Sequence, residues 1–377
     1  MIQPAGTERS VMELACQMAE QGVDVRIYTA RYRDNLFERV RTIQVEVINS
    51  VAPPIFEYYY DLVLAKRLIS EASKWADVLI LHDGHSMASY ATRRFSVPCI
   101  PFYHNDRWDP NIWGLFRGIA PIYTRPLDAL ELKSLREVPL VFANSQSLAI
   151  AIRNHEPKAR VVPIIIGVDT SRFVPKWNED DGFLMMSGRL HPINNFELGI
   201  KAIADTDHNV LIASILERRN LRYYRRLQKT VSNDDSLRKR VNFEFLTETA
   251  LIDRIQRCSL FLSPRLFDYL GHAALEPMAC GKPVIANDSC GSIEEDPPVV
   301  SCHNNPARWR EAVKALMNDR KLREDLGRKS YEFVQQKHSL RRSVAQIVQY
   351  ASLCTKDYRR GKGLDAVSTS SRSAHFY

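Results

Sequence analysis

The sequence predicts an α/β protein that contains two doubly wound parallel-sheet domains in tandem, as three observations indicate. Short apolar runs alternate with segments of helical periodicity along almost the whole chain. The runs are apolar throughout, which is typical of strands that are buried on both faces of a parallel sheet. The chain of 377 residues exceeds one ordinary hydrophobic core, so two domains of roughly 150 to 200 residues are expected.

The first series of elements starts with a helix, because Val11, Leu14 and Met18 recur at helical spacing until Gly22 ends the pattern. An alternating strand follows over residues 23–27. The other elements predicted for this half of the chain are a strand near residues 45–48, a helix around residues 58–75, and the strand runs DVLILH, VPCIPFY, PLVFAN and VVPIII.

The alternation is interrupted over residues 167–182, where polar and turn-forming residues cluster around Pro175. We interpret this segment as the interdomain linker. A second series then follows, and it repeats the alternation of strands and helices, which predicts a second doubly wound domain. Its predicted elements are the strands FLMMSG, NVLIAS, VNFEFL, SLFLSP and KPVIAN, and helices over residues 196–204, 219–231 and 250–258.

The domain assignment has four parts. We expect an N-terminal domain at residues 1–172, a C-terminal domain at 173–336, a helix at 337–355 that packs back on the N-terminal domain, and a disordered tail at 356–377. The N-terminal domain lacks an apolar strand ahead of its first helix, which would leave two neighbouring strands without backbone partners. Either the natural start lies upstream or this domain is altered, and we favour the former.

The composition indicates a globular protein rather than a membrane-spanning one. Hydrophobic residues make up 45% and charged residues 25% of the chain, and the mean hydropathy is −0.28. No run reaches the ~18 apolar residues of a spanning helix, and the start MIQPAGTERS differs from a secretory signal. We therefore expect a cytoplasmic protein. Its seven cysteines form no C-x-x-C pair or zinc-type spacing, so we expect reduced thiols and no metal site.

The net charge of +8 favours an anionic partner, with nucleotide phosphates, a phospholipid surface and nucleic acid as candidates. A solvated basic face is an equal alternative. Nucleic acid is disfavoured because the sequence contains no recognised binding motif. Residues 108–127 mix aromatic, apolar and basic side chains, so this stretch is a candidate for docking on a membrane, and packing on the sheet is the alternative.

Residues 267–286, FDYLGHAALEPMACGKPVIA, predict a ligand site. The segment follows the strand SLFLSP and opens a helix at Gly271, whose free N–H groups and positive dipole end suit a phosphate. Glu276 could accept hydrogen bonds from ribose hydroxyls. Because ligands of open parallel sheets lie beyond the carboxyl ends of the strands, we expect an interdomain cleft lined by loops of both domains. The alternative for Asp268 and Glu276 is a pair of surface carboxylates near a helix start.

The same segment resembles the retaining glycosyltransferases of family 4, which have the GT-B fold. Their E-P-F-G-x-x-x-x-E-A-M-A-x-G-x-P-V-I motif stands here as Asp268-x7-Glu276, with Gly271 and the later M-A-x-G-x-P-V-I residues in register. The resemblance spans about residues 1–355. Further matches, in the order expected for the family, are AGTERS, His104 after PCIPFY, IGVDTSRF, SGRL and CGSIEE.

The resemblance implies transfer of a hexose-type sugar from a nucleotide-diphosphate sugar to a glycan or lipid-linked acceptor, with retained anomeric configuration and no cofactor or essential metal. Such enzymes assemble cell-surface polysaccharides or glycolipids, so peripheral contact with the anionic cytoplasmic face of a membrane is expected. An alternative is a non-catalytic GT-B protein that binds a nucleotide or a partner. A nicotinamide dehydrogenase is disfavoured because no G-x-G-x-x-G follows a strand.

Catalytic roles follow residue by residue from the resemblance. Arg189 of SGRL would hold the donor pyrophosphate, Asp268 would contact the sugar hydroxyls, Glu276 the ribose, and His104 a hydroxyl of the reacting sugar. His82 also follows a strand, as does His85 nearby, and we expect a structural role for both. The donor-binding residues that the resemblance implies are Gly6, Gly188, Arg189, Asn194, Gly271, His272, Ala273, Leu275 and Glu276.

The main departure from the family pattern is the loss of a positive charge. The family expects G-R-L-x-x-x-K, and Asn194 takes the lysine position. Losing one charge-assisted phosphate contact costs on the order of 1.5 to 3 kcal/mol, which is the main argument for the non-catalytic alternative. Arg265, where the family often has serine, is a candidate substitute for the lysine, and a solvated arginine is the alternative. Ala5 also replaces a glycine of the first loop, and alanine tolerates a positive φ poorly.

Overall fold

The structure is a computed structural model and describes residues 6–29, 43–47, 57–82, 95–104, 108, 120–214, 221–266, 271–288, 296–361 and 375–376. The chain divides into two compact units. The N-terminal unit contains Pro4–Ile166 and Arg341–Tyr377, and the C-terminal unit contains Gly167–Leu340. Each unit has one parallel β-sheet with α-helices between the strands in the sequence, which confirms the predicted fold class.

The N-terminal unit is built on a seven-stranded sheet with the order β2-β1-β13-β3-β4-β5-β6, in which neighbouring strands are parallel. Its strands, numbered along the whole chain, are β1 (Arg26–Thr29), β2 (Gln44–Val47), β3 (Leu79–Leu81), β4 (Cys99–Tyr103), β5 (Val141–Ala143), β6 (Val161–Pro163) and β13 (His375–Phe376). Its helices are α1 (Gly6–Glu20), α2 (Glu57–Ala72), α3 (Ala120–Ser134), α4 (Gln146–His155) and α12 (Leu340–Gly361).

The middle of this sheet is buried on both faces. All residues of β3 are buried, and its central residue Ile80 pairs with Ile100 of β4. Phe142 of β5 is also fully buried. Because consecutive side chains of a strand point to opposite faces of the sheet, burial of every residue means that both faces are covered. The continuous apolar runs of the sequence therefore correspond to strands at the centre of a doubly wound sheet.

The two-residue strand β13 lies at the centre of the N-terminal sheet, between β1 and β3. Phe376 pairs with Ile27 of β1 and with Ile80 of β3, both in parallel. The carboxyl end of the chain thus supplies backbone partners where the sequence suggested that a strand was missing. The structure differs from the expectation that residues 356–377 are disordered in two segments. Residues 356–361 belong to α12, and residues 375–376 form β13.

α12 packs against the N-terminal unit along most of its length. At its start, Ser343 Oγ donates a hydrogen bond to the carbonyl of Ile165 (2.7 Å). In the middle, the ring of Tyr350 contacts Phe142 of β5, with 6.3 Å between the ring centroids. Near its end, Tyr358 Oη donates to the carbonyl of Phe95 (2.8 Å). These contacts place α12 in the N-terminal unit although it follows the C-terminal unit in sequence.

The C-terminal unit has a six-stranded parallel sheet with the order β12-β11-β10-β7-β8-β9. Its strands are β7 (Leu184–Ser187), β8 (Val210–Ser214), β9 (Val241–Phe245), β10 (Leu260–Ser263), β11 (Val284–Asn287) and β12 (Val300–Cys302). Its helices are α5 (Phe196–Ala202), α6 (Leu221–Ser232), α7 (Asp235–Arg240), α8 (Glu248–Arg257), α9 (His272–Ala279), α10 (Pro306–Asn318) and α11 (Arg320–Lys337).

The C-terminal core lies where this sheet meets its helices. Met186, Ile212 and Leu262, from three neighbouring strands, belong to one buried cluster. Phe196 of α5 and Trp309 of α10 belong to the same cluster and are almost completely buried. The packing holds the carboxyl ends of β7 and β10 side by side, because Leu184 pairs with Leu260 in the parallel register. This edge of the sheet carries the candidate site.

The first and last residues of the C-terminal unit pair with each other. The N–H of Val168 donates to the carbonyl of His338 (2.8 Å), and the N–H of Leu340 donates to the carbonyl of Val168 (2.8 Å). A Cβ on Gly167 would lie 2.1 Å from the carbonyl oxygen of His338, so only glycine allows this approach. The unit therefore starts at residue 167 and ends at 340, where the sequence analysis placed its limits at 173 and 336.

Two sequence-based expectations concern membranes and cysteines. Among the described residues, no helix combines the length and the apolar character needed to cross a bilayer. Residues 109–119 of the aromatic stretch at 108–127 lie outside the described residues. The six described cysteines are free thiols, and burial raises the pKa of Cys258 to about 12. Cys258 is therefore a protonated core residue at neutral pH.

Candidate functional site

The loop after β7 brings Arg189 to the carboxyl end of the C-terminal sheet. Gly188 has a φ of 145°, in the region that favours glycine. A Cβ at Gly188 would also lie 3.0 Å from Nδ2 of Asn194. The hydroxyl of Ser214, at the end of β8, donates a hydrogen bond to the Gly188 carbonyl (2.6 Å). The turn that carries Arg189 is thus fixed by contacts that require glycine at position 188.

Asn194 connects two arginines at this edge of the sheet. Its side chain is buried, with 7% exposure. Nδ2 donates a hydrogen bond to the backbone carbonyl of Arg189 (2.6 Å), and Oδ1 accepts one from Nη1 of Arg265 (3.3 Å). Arg265 follows β10, the neighbour of β7. The guanidinium of Arg265 therefore contacts a buried amide at this edge, and the exposure of Arg265 is intermediate.

α9 begins directly after Gly271, which has extended dihedral angles (φ −74°, ψ 171°) and no side chain to cap the helix. The amides of Ala274 and Leu275 donate to the Gly271 carbonyl (2.9 and 3.1 Å) and close the first turn. The first N–H groups of an α-helix have no acceptor within the helix, so those of His272 and Ala273 are directed out of its amino end. Together with the helix dipole, they favour an anion at this position.

Glu276 is a buried carboxylate on α9. Only 3% of its surface is exposed, so the alternative of a surface carboxylate is wrong for this residue. Leu275 beside it is completely buried, and Met278 on the next turn is buried as well. A carboxylate within such surroundings is stabilised only by polar partners. As a carboxylate, Glu276 can accept hydrogen bonds from a polar ligand.

In the N-terminal unit, His104 pairs with a second histidine. His104 follows β4 and His82 follows the adjacent strand β3, and Nδ1 of His82 lies 2.8 Å from Nε2 of His104. The ring of Phe102 stacks on both imidazoles, with centroid distances of 5.2 Å to His82 and 4.9 Å to His104. Nδ2 of Asn144, after β5, donates to the His104 carbonyl (2.8 Å). Three adjacent strand ends thus fix the position of His104.

The histidine pair has a defined charge state. Burial lowers the pKa of His82 well below its ordinary value of 6.5, and the neighbouring His104 lowers it further. His82 is therefore neutral at pH 7, and its imidazole has one N–H donor and one acceptor nitrogen. The 2.8 Å contact between the two rings is then a hydrogen bond in which one ring nitrogen donates and the other accepts.

The lowered pKa of His82 predicts a pH-dependent stability. The unfolded chain binds a proton at this residue below pH 6.5, whereas the folded chain does not until a much lower pH, so the free energy of unfolding should fall as the pH decreases from 6.5 towards the folded pKa. The slope for one such proton is at most about 1.4 kcal/mol per pH unit. Urea titrations of wild type and His82→Gln between pH 7.5 and 5 measure this slope.

His82→Gln should have a shallower dependence on pH than wild type. His82→Asn, a second substitution that removes the titrating imidazole, is the matched variant and should give the same shallow slope as His82→Gln. Equal slopes for wild type and His82→Gln would contradict the neutral state of His82 in the folded protein.

The predicted site residues fall into three groups. Most lie at the carboxyl edge of the C-terminal sheet. Gly6, the first residue of α1, and His104 belong to the N-terminal unit. Asp268 lies outside the described residues, as do Ala5, His85 and the CGSIEE segment. The cleft between the two domains stays a prediction. The residues at the C-terminal edge are Gly188, Arg189, Asn194, Gly271, His272, Ala273, Leu275 and Glu276.

Sequence reasoning missed two contacts at these strand ends. It did not predict the hydrogen bond between Arg265 and Asn194, or the pairing of His82 with His104. The usable signal in both cases is that each partner directly follows a predicted strand. Since the carboxyl ends of neighbouring parallel strands meet at one edge, such residues are candidates for contact once the strand order is known.

Two family models match this chain and together extend over residues 4–333. The model described as Glycosyltransferase Family 4 matches residues 4–172, and the one described as Glycosyl transferases group 1 matches residues 167–333. The two matches overlap where the C-terminal unit begins. Each match therefore corresponds to one of the two parallel-sheet units.

Known mannosyltransferases are similar to this chain at low identity. The alpha-1,3/1,6-mannosyltransferase ALG2 of Saccharomyces cerevisiae is 24% identical over 376 residues, which covers 82% of this chain and 74% of the relative. The human protein of the same name is 22% identical over 400 residues, with 92% of each chain covered. The similarity thus extends over both units.

Solved structures share the fold. Sucrose-phosphate synthase from Thermosynechococcus elongatus superposes with a TM-score of 0.78 at 16% identity and covers 94% of both chains. Anabaena Alr3699/HepE, in complex with UDP and glucose, superposes with a TM-score of 0.74 at 17% identity and covers 93% of this chain and 96% of its own. With the two family matches, these likenesses confirm the resemblance seen in the motifs. The chain therefore belongs to the family 4 glycosyltransferases and has the GT-B fold.

Proposed function

We propose that this glycosyltransferase is a retaining enzyme that uses a nucleotide-diphosphate hexose as its donor. The observation that carries the proposal is that three groups follow the neighbouring strands β7 and β10 of the C-terminal sheet. These are the Arg189 turn after β7, the amino end of α9 at Gly271, and the buried carboxylate of Glu276. A guanidinium, exposed helix amides and a carboxylate match the diphosphate and ribose of such a donor.

In this proposal the diphosphate lies between Arg189 and the first turn of α9. As the bond between sugar and diphosphate breaks, negative charge grows on the departing phosphate oxygens. Donors that are already in place stabilise that charge more effectively than water, which must reorganise. The guanidinium of Arg189 binds phosphate oxygens in a bidentate manner, and the amides of His272 and Ala273 add the field of the helix end.

The sugar and its acceptor involve groups of both units in this proposal. Asp268 contacts the hydroxyls of the transferred sugar, and Glu276 accepts hydrogen bonds from the ribose. His104, held by His82 and Asn144, contacts a hydroxyl of the reacting sugar. Gly6, at the first turn of α1, belongs to the loop that approaches donor phosphate and acceptor.

The comparisons support a hexose donor. The ALG2 relatives are mannosyltransferases by name, and the Alr3699/HepE structure contains UDP and glucose. For the acceptor we propose a glycan or a lipid-linked glycan of polysaccharide or glycolipid assembly. A cytoplasmic location with peripheral contact to an anionic membrane face belongs to the same proposal, and the net charge of +8 supports such contact. No cofactor has a role in it, so chelation with EDTA should leave transfer unchanged.

Thermal unfolding with nucleotides tests the donor class. Ligands that bind only the folded state raise the free energy of unfolding by about 2.7 kcal/mol at a hundredfold excess over Kd. We expect one of UDP, GDP or ADP, and its hexose conjugate, to raise the melting temperature, while the matching nucleosides without phosphates do not. No shift with any of these ligands would overturn the proposed donor.

The second candidate is a GT-B protein that binds a nucleotide without catalysis, which the asparagine at position 194 favours. Incubation with the donor that gives the thermal shift separates the two candidates. An active enzyme hydrolyses or transfers the sugar, and proton NMR of the transfer product should show the anomeric configuration of the donor. Binding without turnover in the wild type, with turnover in Asn194→Lys, would favour the second candidate.

A further inference from the structure

We propose that Arg265, held in place by Asn194, supplies the second positive charge for the donor diphosphate and takes over the role of the lysine that the sequence lacks. The proposal rests on the proposed function, since it names a further binding residue of the same site. It concerns two positions at which this chain departs from the family pattern. Where the family has lysine and often serine, this chain has Asn194 and Arg265.

The first argument is the position of Arg265. It stands two residues after the end of β10, and β10 is the direct neighbour of β7. The next residue, Leu266, donates its N–H to the carbonyl of Ile193 (2.9 Å), which joins the loop after β10 to the loop after β7. Arg265 therefore lies at the same edge of the sheet as Arg189, next to the position of the missing lysine.

The second argument is that the side chain of Asn194 binds the Arg265 guanidinium through its amide oxygen. Its amide is buried and has one bond on each side, to the Arg189 carbonyl (2.6 Å) and from the Arg265 guanidinium (3.3 Å). Gly188 leaves space for it, since a Cβ there would crowd Nδ2 at 3.0 Å. An asparagine at this position accepts from a guanidinium through Oδ1, which an ammonium group cannot do.

The third argument is electrostatic. A lysine at position 194 beside Arg265 would bring two cations together at a partly buried edge, where like charges repel more strongly than in water. A cation at either position 194 or position 265 therefore requires an uncharged side chain at the other position. A guanidinium has five N–H donors in a planar fork, so an arginine can donate to Asn194 and also bind a phosphate oxygen.

Calorimetric titration of four proteins tests the proposal, with the nucleoside diphosphate that stabilises wild type and with inorganic pyrophosphate as ligands. The proteins are wild type, Arg265→Ser, Asn194→Lys and the double variant Asn194→Lys/Arg265→Ser. We expect Arg265→Ser to bind both ligands about ten- to hundredfold more weakly. The double variant should regain most of this loss, because it restores the family pairing.

Two further variants control for folding and for net charge. Arg265→Lys keeps the charge and should lose less affinity than Arg265→Ser. Arg257→Ser removes one positive charge from the end of α8, ahead of β10 and thus at the opposite end of that strand, and it should bind as wild type does. Thermal unfolding without ligand shows whether each variant is folded at the temperature of the titration.

The outcomes separate this inference from the proposed function. Wild-type affinity in Arg265→Ser, or a double variant no better than Arg265→Ser alone, would overturn the role of Arg265 while the donor proposal stands. A wild type that binds no nucleoside diphosphate and no pyrophosphate would overturn both. Weak binding by Arg265→Ser with recovery in the double variant supports the inference, because the double variant restores a positive charge at this edge without restoring the contact between Arg265 and Asn194.

Discussion

Replacing Arg189 with alanine should lower kcat/KM for sugar transfer by about 10²- to 10³-fold, the effect of removing one donor that faces developing negative charge. Arg189 follows Gly188 in a turn whose carbonyls accept hydrogen bonds from Ser214 and Asn194, so we expect the turn to keep its position in the variant. The loss should therefore come from the missing guanidinium. Steady-state kinetics with the donor sugar measure it.

Two further variants serve as comparisons for Arg189→Ala. Arg189→Lys keeps the charge but loses the bidentate fork, so its activity should lie between those of wild type and Arg189→Ala. Arg222→Ala, at an exposed arginine of α6, is the matched control and should be as active as wild type. An Arg189→Ala protein that is folded and retains wild-type kcat/KM would contradict the role of Arg189 in holding the diphosphate.

Replacing Glu276 with glutamine should weaken binding of the nucleoside diphosphate about ten- to hundredfold, because hydrogen bonds to a charged acceptor contribute more than those to an amide. The substitution keeps the size of a side chain that is 3% exposed, so the packing of α9 is preserved. Calorimetric titration at constant temperature measures the change.

The ribose contact of Glu276 has a specific readout. Wild type should prefer the ribonucleotide over its 2′,3′-dideoxy analogue, and Glu276→Gln should lose most of that preference. Because the two ligands are compared on the same protein, a difference in stability between the variants does not affect the result. A preference for ribose that survives unchanged in Glu276→Gln would remove Glu276 from the ribose site.

Local patterns in the sequence predict most of the fold. Most strands of both sheets are apolar runs bounded by turn residues, which the sequence predicts because burial on both faces leaves few polar residues in a strand. The strands β12 and β13 were not predicted. The helix that starts at Gly271 was predicted for a similar reason, since a glycine before a run of small and apolar residues marks its amino end. α7 was not predicted. It has only six residues, mostly charged, and depends on the Asp234 side chain, which accepts from the N–H groups of Ser236 and Leu237.

Contacts between distant segments could not be predicted from local patterns. The pairing of β13 with β1 and β3 involves two residues from a polar tail, which carries no strand signal of its own. The limits of the C-terminal unit depend on the pairing of Val168 with Ser339, which are far apart in sequence. In both cases unpaired backbone groups of one segment determine the structure of another.

In the candidate site, too, local patterns predict individual residues but not the contacts between distant ones. Motif spacing predicted Gly188, Arg189, Gly271 and Glu276, since their chemistry depends on residue type and on position relative to a strand or helix. Motif spacing could not predict that Asn194 binds Arg265, because the two residues lie in loops that follow different strands, β7 and β10. A substitution that weakens the family motif when taken alone is, in the structure, one half of a pair.

The most direct test of the account is a crystal structure with the nucleoside diphosphate that gives the largest thermal shift. We expect the diphosphate to accept hydrogen bonds from the guanidinium of Arg189 and from the amides of His272 and Ala273, with the ribose hydroxyls on the Glu276 carboxylate. A nucleotide bound elsewhere on the protein, with none of these groups in contact with it, would contradict the account.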